Sequence, residues 1–431
     1  MLDADGDLAT GLEAYSAEQL RRWSEQKLQG VSCSELAIDM FATEGQVNGQ
    51  SVLDAFVATQ PELSASDRAL VKSWQDTFNG LFRVLQVTSE AYELINWLTE
   101  KRYWVRSNGL QSEDQLSRLA PDEIIVARLS PVTDGNWMFS GPLLLLGKLG
   151  KPKLAVAVGN FRNWFPDHLY GDAPDLLEEA WISVERYHND FVQFFGAERV
   201  TLSGYELNKK LKAYQEVATQ RELEKVGLDG SQSLQDLVDQ AGVSKEEISE
   251  AAASFGEDGR EVSRLLENSK TTKMKMPSIN LPDEFQRAEA VTVFVHPRWG
   301  QTFLKDYQQL TQLLEATDED ATAKRDRLLQ KYLKEEAVNV YVWRCFAEAN
   351  PEALETALRR VLNRPDFSLP NDLDQVLAQS GKFLEPKLPE IASVPVHLHN
   401  LFQEALQEVD QGSSKKKSKG KAKRKKGFAS L

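Results

Sequence analysis

Residues 81–87 read LFRVLQV, 91–97 AYELINW, 102–106 RYWVR, 123–129 EIIVARL, 136–146 NWMFSGPLLLL and 153–159 KLAVAVG. Each segment is short, rich in β-branched and aromatic residues, and followed by turn-forming ones, which is how strands separated by turns are written. Thr133-Asp134-Gly135-Asn136, between the fourth and fifth segments, supplies a hairpin turn whose glycine tolerates a positive φ. The six segments predict five or six strands, with KLAVAVG as the last.

Strands crowded into residues 82–158 predict a small antiparallel barrel or curled sheet, of the OB or SH3-like kind, over residues 81–160. Helical texture flanks it. Ser16 and Gln19 have capping-box spacing, and Leu20 and Trp23 begin an apolar stripe. Leu70, Trp74, Phe78 and Leu81 recur at helical spacing, with Gly80 placed to end that helix, so residues 1–80 read as a helical segment. Leu177, Trp181, Val184, His188, Phe191 and Phe195 predict a core-facing helix closed by Gly196, and a second runs from Tyr205 to about Val226. Together they form a helical pair, 161–228, expected to pack on the β-module.

Residues 229–268 read as an acidic helical unit and 269–284, polar with two prolines, as a linker. A mostly helical domain follows over 285–410, with a strand at Ala290–Val295, a helix carrying Phe303, Tyr307, Leu310 and Leu314, and a helix start at Asn350-Pro351. Residues 411–431 read as a basic disordered tail. The fold class expected is α+β: a mostly helical multidomain protein with one embedded small β-barrel or curled sheet.

Charge is segregated along the chain. The tail places Lys415, Lys416, Lys417, Lys419, Lys421, Lys423, Arg424, Lys425 and Lys426 within twelve positions, with no acid after them. The chain has 51 Lys and Arg against 65 Asp and Glu, so the body before Lys415 holds 42 bases and all 65 acids, a net of −23. An acidic body disfavours unspecific adhesion to polyanions, whereas a clustered cation meets them by releasing condensed counterions. At 41% apolar, the chain can bury real cores. The widely separated Cys33 and Cys345 fit reduced thiols, not a metal or redox pair. The acidic start MLDADGDLATGLEAYS has no apolar run, and no stretch approaches the roughly 18 apolar residues of a membrane span, so a cytoplasmic protein is expected.

Chemistry-bearing motifs are few. Residues 234–249, LQDLVDQAGVSKEEIS, place Leu234, Leu237 and Val238 before Gly242, then Val243, Ser244 and Ile248. That pattern resembles the helix-turn-helix family, in which two short helices meet across a glycine turn. The resemblance implies DNA reading by the second helix. Glu246, Glu247 and Glu250 fall on that helix, where carboxylates repel a duplex, so a packing or protein-contact unit is the competing reading.

Within the β-module, Arg83, Lys101, Arg102, Arg106 and Arg128 interleave with Tyr92, Trp97, Tyr103, Trp104 and Trp137. Exposed aromatics beside cations bind single strands, whereas the same aromatics turned inward merely fill a barrel. Trp137, just after the hairpin turn, is the expected base-stacking residue, and Trp104, in mid-strand, the expected core residue. His168 lies near Asp167 and Asp172 in a Pro/Gly loop, as a small site or as a loop docked on the module. His397 and His399 could share a face toward a metal but lack a third ligand, so they read as residues of a helix-entry loop that pack or hydrogen-bond. His188 reads as a core histidine and His296 as a strand exit before proline.

No phosphate-cradling glycine loop and no catalytic signature is present. No cofactor, metal or catalytic residue is expected. These features lead to a non-enzymatic nucleic-acid-associated factor, binding RNA rather than duplex DNA, or another polyanion. The alternative is a protein-binding assembly or scaffold factor acting through acidic helical surfaces.

Overall fold

The computed structural model of the protein describes residues 6–225, 274–275, 281–316 and 318–409. The helix-turn-helix-like segment, the acidic unit around it, most of the linker and the basic tail lie outside the described residues. The chain divides into one unit of residues 1–178 and 395–431 and another of residues 179–394. Residues 179–225 therefore group with the later domain, and 395–409 group with the β-module.

In the first unit, α1 (Gly6–Glu25) and α2 (Cys33–Glu44) precede α3 (Val52–Thr59) and α4 (Ala65–Ser73). Because α1 starts at residue 6, Ser16 is mid-helix and caps nothing. Trp23 is buried as expected, but Leu20 is exposed and Gln19 takes the inner position. The helix predicted to reach Leu81 stops at Ser73, tightens into a 3-10 turn over Trp74–Asp76, and gives way to a strand holding Phe78 and Leu81. A spacing of four is even, so it keeps Phe78, like Phe82, on one face of a strand as readily as of a helix.

The β-module consists of β1 (Phe78–Val87), β2 (Tyr92–Asn96), β3 (Arg102–Arg106), β4 (Ile124–Pro131), β5 (Trp137–Phe139) and β6 (Leu144–Gly147). β1 serves two neighbours: Phe82–Val87 pair with β2 and Phe78–Arg83 with β4. The order β1-β2-β3-β5-β4 closes back onto β1, and β6 extends β4 beyond the ring. Three consecutive strands with the fourth returning beside the first make a Greek key, and the five strands form a closed barrel. One pairing departs from the antiparallel expectation, since β3 and β5 run parallel.

Gly80 sits on β1 with the Phe82 ring against it; a Cβ there would lie 2.3 Å from that ring. Between β3 and β4, α5 (Glu113–Ser117) opens with a capping box from Ser112 and Gln115, and its Leu116, with Leu119 just past its end, packs into the barrel core.

KLAVAVG is not a strand. It lies on α6 (Lys151–Trp164), where Leu154, Ala157, Val158 and Phe161 are buried while Val156 is 61% exposed. A short apolar run does not distinguish a strand from a buried helix face, and Pro152 in the first turn favours the helix.

In the second unit, α7 (Pro174–Phe195, its first residues belonging to the other unit) ends at Gly196, φ +84°, whose N–H meets the Val192 carbonyl at 2.8 Å. Its buried face runs through Ala180, Val184, Tyr187 and Phe191, so the expected Trp181, His188 and Phe195 flank the seam. α8 (Gly204–Lys225) follows β7 (Arg199–Leu202), which joins β8 (Val291–His296) and β9 (Gly300–Leu304) in an antiparallel sheet with β8 central. Phe303 belongs to β9, because α9 (Tyr307–Glu315) begins after it. α10 (Glu319–Lys334), α11 (Val340–Ala349), α12 (Pro351–Val361) and α13 (Leu369–Gln379) complete a core centred on Trp343, Phe346, Tyr332 and Leu358. The class is α+β, as expected. No described helix is long and apolar enough to cross a membrane.

Candidate nucleic-acid interface

Strand alternation sorts the interleaved aromatics and cations. On β3 the burial pattern alternates strictly, with Tyr103 and Val105 inward and Arg102, Trp104 and Arg106 outward. On β2, Leu94 faces the interior and Glu93 and Ile95 face out, opposite Trp104 and Arg102. Trp104 is 44% exposed, and the Arg102 side chain, 66% exposed, reaches Glu93 at 3.4 Å. At the hairpin turn after β2, Arg83 stacks its guanidinium over Trp97, 5.4 Å from the ring centroid. The β2–β3 face is thus open, carrying one exposed indole between two exposed arginines.

Trp137, expected to be the exposed residue, turns inward at the barrel rim. It meets Tyr103 edge-on at 5.2 Å and Phe78 at 5.6 Å, packed against the barrel core. Parity explains the exchange with Trp104. In RYWVR the apolar pair Tyr103 and Val105 must share the interior, which sends Trp104 outward with the arginines.

The β1–β4 side is closed. Arg128 points outward from β4 yet is wholly buried, because α2 lies over it. Its Nε meets Asp39 Oδ2 at 2.7 Å and its Nη2 reaches Glu44 and Thr43. Ser140 donates to the second oxygen of Asp39 at 2.6 Å. His168 Nδ1 accepts from the Asn79 backbone N–H at 3.3 Å, leaving Nε2 toward Glu44 at 3.4 Å. Burial pushes the Glu44 carboxyl up, but the His168 hydrogen bond and the Arg128 charge outweigh it and hold the pKa below its ordinary value.

Asp172 does not join His168. Its Oδ2 accepts from Asn96 at 3.0 Å, Thr99 at 2.8 Å and Tyr103 at 2.5 Å. Burial, with the Asp172 carboxylate beside it, raises the Tyr103 phenol well above its usual range. The loop around His168 is therefore docked on the barrel at two separate points. Sequence reading missed Asp39 and Glu44, for which no local signal exists.

His397 stands at a helix start as expected, and its Nε2 meets the Trp97 carbonyl at 2.7 Å. His188 engages Glu198 at 2.9 Å, and His296 Nδ1 accepts the Arg298 and Trp299 backbone N–H groups. Among the described residues, no three His, Cys, Asp or Glu side chains are placed to hold a metal. Lys415 through Lys426 lie outside the described residues. Comparison of the chain with protein-family models, curated proteins and solved structures finds no match.

Proposed function

We propose that this protein binds single-stranded nucleic acid, RNA in preference to duplex DNA, on the β2–β3 face of its barrel, and that the basic tail adds affinity. The observation that carries the reading is Trp104, exposed between Arg102 and Arg106 on β3. An indole held in water on a rigid strand loses little entropy when a base stacks on it, and flanking guanidiniums can take the phosphates on either side. Strands 2 and 3 are also the face that OB barrels use for oligonucleotides. A duplex hides its bases from such a platform, which supports the preference for single strands.

Replacing Trp104 with Ala should lose about 1–3 kcal/mol of oligouridylate binding with little change in melting temperature. Unchanged affinity would refute the reading. Salt dependence tests the tail's share. Nine phosphate contacts give a slope of log K against log salt near −6, and partial engagement between about −3 and −6. A chain ending at Gly412 should retain a slope of only about −1.4, from the two arginines. Equal slopes for both chains would remove the tail from the proposal.

The alternative, a protein-binding assembly factor, is favoured by Leu406 and Val409, which stand 61% and 52% exposed on the helix of residues 396–409. An L406S/V409S variant that lost a nuclease-resistant protein complex while keeping RNA affinity would favour that reading.

A further inference from the structure

Glu93 of β2 stands directly opposite Trp104 of β3, and Gln86 of β1 stands directly opposite Glu93. Opposed residues on neighbouring strands keep their Cβ atoms about 5 Å apart on one face, so an amide, a carboxylate and an indole form a row about 10 Å long across three strands. Gln86 and Trp104 are exposed, whereas the Glu93 side chain, in the middle of the row, is only 18% exposed. Its Oε1 meets Arg102 Nη1 at 3.4 Å, the long end of the hydrogen-bonding range. A carboxylate with that single long contact keeps acceptor capacity on both oxygens. Carboxylates repel phosphates, so an acid at the centre of a nucleic-acid face weakens binding unless it reads a base.

Arg102 and Arg106 lie two positions to either side of Trp104 on the same face. Phosphates held by them run along β3, which turns the edge of a stacked base across the strands. Toward β5, Arg106 stands opposite Met138, whose thioether is a weak acceptor. Toward β2 the edge meets Glu93 and then Gln86. Bases differ in what they offer there. Guanine presents N1–H and N2–H side by side, two donors matched to two carboxylate oxygens, with O6 beside them for an amide N–H. Adenine and cytosine offer one amino group next to a bare ring nitrogen. Uracil offers one N–H between two carbonyl oxygens, which a carboxylate repels.

We infer that Glu93 makes the β2–β3 face selective for guanine in a single strand: the base stacks on Trp104, Glu93 accepts from N1–H and N2–H, and Gln86 donates to O6. The inference rests on the proposed β2–β3 face and adds the base that this face prefers. Stacking is tolerant of base identity, so the selectivity comes from the carboxylate row and the affinity from Trp104 and its arginines.

The test uses the full chain, Glu93→Gln and Trp104→Ala. Labelled octauridylates carry uracil, guanine or hypoxanthine (guanine without its 2-amino group) at one central position, and binding is read by fluorescence anisotropy at fixed salt. The unmodified chain should bind the guanine strand about tenfold tighter than the all-uracil strand, with the hypoxanthine strand between them. Glu93→Gln should weaken the guanine strand and strengthen the all-uracil one, until the two differ by less than about twofold. Trp104→Ala should weaken all three by at least about fivefold. Equal binding of the three strands by the unmodified chain, or a Glu93→Gln variant that shifted all three by one factor, would overturn the selectivity and leave the face in place. Unchanged affinity of Trp104→Ala for every strand would remove the face, and this inference with it.

Discussion

On one side of the barrel Arg128 is wholly buried between two carboxylates, and on the other Arg102 and Arg106 stand in solvent beside an exposed indole. All three arginines point outward from their strands. What separates them is cover: α2 brings Asp39 and Glu44 over β4 and buries Arg128, whereas Arg102, Trp104 and Arg106 of β3 stay exposed among the described residues. A cation on a barrel strand becomes a structural rivet or part of a contact surface according to what another segment lays over it. Burying a guanidinium is tolerable only with its charge compensated, so the covered side is committed to structure and the uncovered side is available for ligands.

That contrast can be broken experimentally, and the largest effect should come from its buried half. Arg128→Ala leaves Asp39 and Glu44 facing each other without a counter-charge and should destabilise the first unit by about 3–5 kcal/mol in urea denaturation. Arg102→Ala, removing an exposed pair with Glu93, should cost under about 0.5 kcal/mol. Similar costs for both would erase the distinction. Next in size, Trp137→Ala removes a rim aromatic packed on Tyr103 and Phe78 and should cost about 3 kcal/mol, melting the unit early. Trp104→Ala should leave stability within about 0.5 kcal/mol and act on binding alone.

The smallest expected effect is a pH dependence. Glu44 has a folded pKa below its ordinary value of 4.5, so the folded state favours its ionised form. Its contribution is fully present above that value and is lost as pH falls through the folded pKa. Stability of the first unit should decline below about pH 4.5, and Glu44→Gln should flatten that part of the profile. An identical acid limb in the variant would show that the Glu44 cluster does not supply it.

Much of this arrangement was legible in the residues themselves. The β-rich texture from Leu81 to Leu146 marked the barrel, and Thr133–Asn136 marked its hairpin, because turn chemistry and period-2 alternation are local properties. The exposure of Trp104 was also written in RYWVR, where the apolar pair at alternate positions must share the interior. Mid-strand position was a poorer guide than parity, and closeness to a turn misplaced Trp137. KLAVAVG failed for a different reason, since a short apolar run satisfies a strand and a buried helix equally until Val156 is seen in solvent.

By itself the sequence determined the α+β class, the strand-rich texture of the barrel segment, and the separation of a cationic tail from an acidic body. All three follow from neighbours a few residues apart. Only the tertiary structure decided which side of the barrel is sealed, because the partners of Arg128 lie more than eighty residues away on α2. It also decided that residues 396–409 return to the barrel, since His397 finds the Trp97 carbonyl across 300 residues of chain. Contacts at such separations leave no periodic trace in the sequence: they are set by which closed arrangement pairs the buried charges and covers the apolar faces at once.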